Sequence, residues 1–167
     1  MYELRPAKTN NKAQRIIFLF FAGAAALLFV TVPLKGMPFI WVIQLLAILL
    51  LVAAVFLVTR YVTKGYVYTV ADADGNGAPD LTVTEVSAGG KKQLTVCRVS
   101  LSSIEKAIAI GANDGTLKDL RKEKKRIFDY RPDIEPEKSI LAFSNEGGEE
   151  IVLLLAFDEG LLRTLRG

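Results

Sequence analysis

The chain has 167 residues, is 51% hydrophobic, and carries a formal net charge of +3, no histidine and one cysteine, Cys97. Without histidine it has no His-based general base, no His triad and no His-rich metal site. One cysteine allows neither an intramolecular disulfide nor a thiolate cluster within the chain, which fits a reducing cytoplasm.

The basic surplus is uneven. In residues 1–15, Arg5, Lys8, Lys12 and Arg15 oppose only Glu3, whereas the part from Arg60 onward is close to neutral. The surplus therefore reads as a membrane-topology signal and not as a nucleic-acid patch. Residues 1–15 are expected to be a basic cytoplasmic tail.

Two apolar stretches follow, Ile16–Leu34 and Phe39–Val58, and neither contains a charged residue. At about 1.5 Å per residue, each is long enough as a helix to cross a hydrocarbon core of about 30 Å. Only Lys35, Gly36, Met37 and Pro38 separate them, with Pro33 just before, so residues 16–59 are expected to form a tight antiparallel hairpin. Basic residues precede the first span, and Arg60 and Lys64 follow the second, while the turn holds only Lys35. The positive-inside rule then puts both termini in the cytoplasm, as a multi-pass protein of the cell membrane with an inner-membrane hairpin. Trp41 and Tyr61 sit where interfacial anchors belong. The basic start and Ala24–Ala26 also suggest a signal peptide, but the apolar run continues past the alanines and a second span follows.

Within the spans, Ala22, Gly23, Ala24, Ala25 and Ala26 face Ala47, Ala53 and Ala54 as small residues suited to close helix packing, within one chain or between two. Gln44 is the one strongly polar side chain there and is a candidate intramembrane contact, across the hairpin, to a second copy or to a partner.

Residues 60–167 change texture to short β-type runs: Tyr66–Val70, Leu81–Thr84, Leu94–Val99, Ser103–Ile110, Ile127–Arg131, Ile140–Phe143 and Ile151–Phe157. Turn signals such as Gly89-Gly90 and Glu146-Gly147-Gly148 separate them. Residues 116–126 read as helical, with Thr116 and Asp119 in capping-box spacing. Asp158 is placed to cap a final helix whose Leu161, Leu162 and Leu165 share a face. The expected fold is a bent antiparallel sheet, or partly open barrel, of about seven strands with a C-terminal α-helix. Ile151–Phe157 is apolar on both faces, so it is expected to be central, with the C-terminal helix as its cover.

This order of elements resembles the pleckstrin-homology-like (PH-like) fold of bacterial domains tethered to membrane hairpins. The stretch Thr95–Ile104 is similar to the strand–turn–strand of those proteins. Phe128-Asp129-Tyr130-Arg131-Pro132-Asp133 resembles a motif of small, uncharacterised bacterial two-span proteins. The resemblance implies a cytoplasmic PH-like domain and brings no catalytic residues.

Several residue sets bear on chemistry. Asp72, Asp74, Asn76 and Asp80 imitate the start of a calcium loop, but Val83 stands where the bidentate Glu belongs and the flanks read as strands. Their acidity also disfavours a phosphoinositide pocket of the PH type. Lys118, Arg121, Lys122, Lys124, Lys125 and Arg126 are candidate contacts to anionic lipid or, more plainly, one solvated face. Cys97 within a strand reads as a buried small side chain, Ser100, Ser102 and Ser103 lack a base, and Glu149-Glu150 read as solvating residues. No catalytic, cofactor-binding or metal-binding set is expected. The expected partners are the lipid bilayer and a protein or a second copy, with no nucleic acid. The expected role is a non-enzymatic, membrane-anchored interaction or adaptor module. The alternative is an accessory or regulatory subunit of a membrane transport or envelope complex acting through the hairpin.

Overall fold

A computed structural model describes the chain except residues 1, 9–10, 35, 73–74, 76, 88–89, 91, 124, 147 and 167. The chain divides into a helical unit, residues 10–64, and a β unit made of residues 1–9 and 65–167.

In the helical unit, α1 spans Lys12–Thr31 and α2 spans Ile40–Leu57, the latter continued by a π-helical turn over Val58–Val62. Lys12, Ala13, Gln14 and Arg15 are good helix formers, so α1 starts before the apolar run. It stops ahead of Pro33, which lacks the backbone N–H that a further turn needs. Both helices are long and apolar enough to cross a membrane. Their seam is made of small residues: Ala24, Ala47 and Ala54 are fully buried, and a Cβ on Gly23 would lie 3.5 Å from Leu50. The large apolar side chains point outward, with Phe18 71% and Phe29 81% exposed. Ala22, Ala25 and Ala26 are exposed instead, so of the small residues expected on the first helix only Gly23 and Ala24 serve packing within the hairpin.

Among its described residues, the β unit has eight strands in two four-stranded sheets that do not close into a barrel. The first sheet has the order β1-β2-β3-β4, with β1 Tyr2–Leu4, β2 Lys64–Ala71, β3 Asp80–Ser87 and β4 Gln93–Ser100. The second has the order β5-β7-β8-β6, with β5 Ile104–Gly111, β6 Arg126–Asp129, β7 Lys138–Glu146 and β8 Glu149–Ala156. The helix α3, Thr116–Lys122, connects β5 to β6, and α4, Glu159–Arg166, ends the chain.

Two features depart from a seven-stranded antiparallel expectation. One is β1, contributed by the N-terminal tail and paired antiparallel with β2, Glu3 opposite Thr69. The other is β6, which runs parallel to β8, Phe128 opposite Leu153. β5 and β6 run the same way at opposite edges of this sheet, so the connection between them must cross a sheet face. That places α3 over the second sheet, where Leu120 packs with Ile110, Leu141, Val152 and Leu154.

The central strand β8 is therefore covered twice, and not as expected. Its Leu153 and Leu155 face the main core with Tyr68, Val70, Leu81, Val83 and Val99 of the first sheet and Leu161 and Leu165 of α4. Its Val152 and Leu154 are covered by α3. The C-terminal helix seals only one of the two faces.

Candidate functional site

The strands β4 and β6 end their respective sheets, so each has one edge without a strand neighbour. An open cleft of about 340 Å³ is lined by Val96, Cys97 and Arg98 of β4, Arg126 and Phe128 of β6, Tyr130, and Glu149 and Ile151 of β8. Within the β unit, the large hydrophobic side chains left exposed among the described residues are Leu94, 65%, and Phe128, 37%. They stand on these two edge strands.

An aromatic ladder runs out of the core along the cleft. Tyr66 meets Tyr130 edge to face at 5.7 Å, and Tyr130 stacks on Phe128 at 6.4 Å and 6°. The Arg126 guanidinium lies 6.0 Å from the centre of the Phe128 ring. Burial, with the Cys97 thiol beside it, raises the Tyr130 phenol above its ordinary pKa. Cys97 is in no disulfide and is only half-buried, a correction to the buried reading. It lies on an edge strand, so β3 shields one side of it and the cleft opens on the other.

Arg98 is held by Asp80 at 2.7 Å, and Arg126 by Glu149 at 2.5 Å. Next to that pair, Lys125 Nζ lies 2.6 Å from Glu150. The acidic pair that read as solvating residues thus engages the end of the basic run. The parallel register sets Arg126 opposite Ile151, one position beyond the two glutamates. Lys118, Arg121 and Lys122 are exposed on α3, where Lys122 bonds Asp119 at 3.1 Å. Lys124 lies outside the described residues. Among the described residues, the basic candidates divide: Lys118, Arg121 and Lys122 share a helix, while Lys125 and Arg126 are bound to β8.

The cap of α3 is also shifted by one position. Gly115 is its N-cap, and Asp114 Oδ1 accepts from the Thr116 backbone N–H at 3.0 Å. The Thr116 hydroxyl, which donates to the same oxygen at 2.5 Å, and then this backbone bond hold the Asp114 carboxyl below its usual pKa.

Other candidates resolve into structural roles. Arg131 grips Asp129 with Nε 3.0 Å from Oδ1 and Nη2 2.7 Å from Oδ2, locking the Phe128–Asp133 stretch. Ser103 Oγ donates to the Ser100 carbonyl at 2.8 Å and lies 3.0 Å from Ser144 Oγ. The Ser100 hydroxyl lies 2.9 Å from that of Ser102. In the acidic loop, Asp72 Oδ2 accepts from the Gly77 N–H at 2.6 Å, and Gly77 sits at φ 76°, where glycine is favoured. Asp74 and Asn76 lie outside the described residues. Gln44, on α2, is exposed.

No protein-family model, curated protein or solved structure matches this chain.

Proposed function

We propose that this chain is a membrane-anchored interaction module that holds a PH-like β unit at the cytoplasmic face and works by binding, not by catalysis. The observation that carries the reading is the cleft between β4 and β6. Two strand edges and an aromatic ladder ending in the exposed Phe128 border it, and the exposed Leu94 lies further along β4. Edges of this kind accept an extended peptide through main-chain hydrogen bonds, with side-chain pockets supplying choice. Two stacked sheets and a terminal helix support the PH-like comparison, while the parallel β6–β8 pair is a departure from it.

The cytoplasmic placement rests on the basic flanks of the spans. That the two ends share a side is supported by the pairing of β1, which precedes α1, with β2, which follows α2. One sheet built from strands on both sides of the hairpin supports its two ends lying on the same side of a bilayer.

The test is affinity capture from mildly solubilised membranes with the full chain and with a Leu94→Ala, Phe128→Ala variant. Loss of a captured protein on that substitution is the expected result. Capture that is unchanged by it, but abolished when the spans are replaced by an unrelated hairpin, would sink this reading. The accessory-subunit reading through the hairpin would then take its place.

A further inference from the structure

Leu94 lies outside the cleft, whose β4 lining begins at Val96. A Cβ on Gly65 would lie 3.8 Å from the Val86 carbonyl, and Val86 stands opposite Gln93. The start of β2, the end of β3 and the start of β4 therefore share one end of the first sheet. Leu94 stands there opposite Glu85, just beyond the β3–β4 turn, which the Ser87 N–H closes by donating to the Lys92 carbonyl at 3.0 Å. Both connections to the hairpin leave from this same end. Only Thr63 separates Val62, the last residue of the π-helical turn, from Lys64 of β2. Two residues of chain reach about 7 Å at most. β1 runs antiparallel to β2, from Tyr2 opposite Val70 to Leu4 opposite Tyr68. The chain leaving β1 thus heads for that end, through Arg5 and Lys8, before α1 begins at Lys12.

We propose that this end of the first sheet docks on the lipid bilayer, with Leu94 entering the interface and Lys91 and Lys92 meeting anionic headgroups. The inference rests on the reading that the hairpin crosses a membrane, and it leaves the cleft and Phe128 to a peptide. Two observations choose lipid as the occupant. The first is the short tether, which ties the start of β2 to the end of an apolar helix. The second is that the charge of the sheet is polarised in the matching sense. Lys64, Lys91 and Lys92 outnumber Glu85 at the tethered end, whereas residues 71–80 at the other end carry Asp72, Asp74 and Asp80 and no basic residue. Lys92 is exposed, and Lys91 lies outside the described residues. The eight residues of β2, at about 3.3 Å each, put about 25 Å between the two ends. That is roughly three Debye lengths at physiological salt, so an anionic leaflet attracts the lysines and hardly repels the distant aspartates. An exposed leucine beside lysines suits such an interface, since the lysine stems are apolar and their heads reach the headgroups.

The test uses the full chain, one copy per nanodisc, with Cys97→Ser as background. A fluorophore is attached through Leu94→Cys or through Ala78→Cys, the latter in the distant β2–β3 connection. Brominated lipid should quench the probe at position 94 and spare the one at position 78. In discs containing phosphatidylglycerol at low salt, Lys91→Gln with Lys92→Gln should shift the probe at position 94 toward the undocked state by about fivefold per charge. In pure phosphatidylcholine the same substitutions should change nothing. Equal quenching at both positions overturns the proposal, as does a lysine effect that is absent in anionic discs or equal in both lipids. A probe at position 94 that is shielded from aqueous iodide yet untouched by brominated lipid also overturns it and assigns Leu94 to a protein contact. A chain that resists alkaline extraction but shows no quenching at position 94 overturns the docking alone. A chain released by alkaline extraction overturns the membrane reading as well.

Discussion

At the scale of single residues, the two ends of the chain meet at one carboxylate. Asp158 Oδ1 accepts from the Leu161 N–H at 2.9 Å, capping α4, and also from the Tyr2 hydroxyl. Gly160 makes room for the ring, because a Cβ there would lie 3.0 Å from Tyr2 Oη and 3.1 Å from Tyr2 Cε2. The cap was legible from Asp158 and the leucine spacing beyond it. Its second donor was not, since 156 positions separate it from Tyr2. Burial, then the bond to Asp158, raises the Tyr2 phenol to about 12. The Tyr2 hydroxyl, then the Leu161 N–H, lowers the Asp158 carboxyl. The signs follow from these directions. The Asp158 contribution is complete above the unfolded carboxyl pKa of about 3.9 and is lost as pH falls through its folded value. The Tyr2 contribution is complete below about pH 10 and is lost as pH rises toward 12. Denaturation of the full chain in detergent should thus show an acid limb that Asp158→Asn flattens, and Asp158→Ala should cost about 1 kcal/mol at neutral pH. A second bridge joins the sheets: the fully buried Tyr68 donates to the Tyr130 carbonyl at 2.7 Å and accepts from the Ala156 N–H at 3.1 Å. Tyr68→Phe should lower the unfolding free energy by about 1–3 kcal/mol, read from urea titration.

At the scale of elements, the same sequence signal found α3 and α4 but assigned their work incorrectly. The unbroken apolar run of β8 announced two apolar faces, and α4 carries an apolar stripe, so cover by α4 was the economical expectation. Leu117 and Leu120 give α3 a smaller stripe among many charges, yet Leu120 is buried against Val152 and Leu154. Leu120→Ala should therefore destabilise the chain by about 2–4 kcal/mol in thermal or urea unfolding, a core-sized cost for a residue in a strongly basic segment. The basic run splits for a related reason. Its first half stays on the exposed helix, and its second half enters β6 beside Glu149 and Glu150. Reversing Lys118, Arg121 and Lys122 to glutamate should weaken binding of the full chain to anionic nanodiscs by about fivefold per charge at low salt. Reversing Lys125 and Arg126 should mainly disturb the β6–β8 junction, seen as a lower unfolding temperature.

At the scale of the whole molecule, β1 changes what the N-terminal segment is. A basic tail became the edge of a sheet, with Leu4 opposite Tyr68 and Tyr2 opposite Val70. Deleting residues 2–8 should raise hydrogen exchange at Tyr68, Thr69 and Val70 by about tenfold, while β7 and β8 keep their protection. The sequence by itself determined the helical hairpin, its turn, most strand positions and the capped final helix. Each of those is written in neighbouring residues, as apolar length, period-two alternation, or a Gly, Pro or Asp at a boundary. Only the tertiary structure decided that β1 joins β2, that β6 runs parallel to β8, that α3 seals the second face, and that Glu149 and Glu150 hold part of the basic run. Those outcomes depend on contacts between distant segments. Local pattern states that a face must be covered, while chain topology chooses which element covers it.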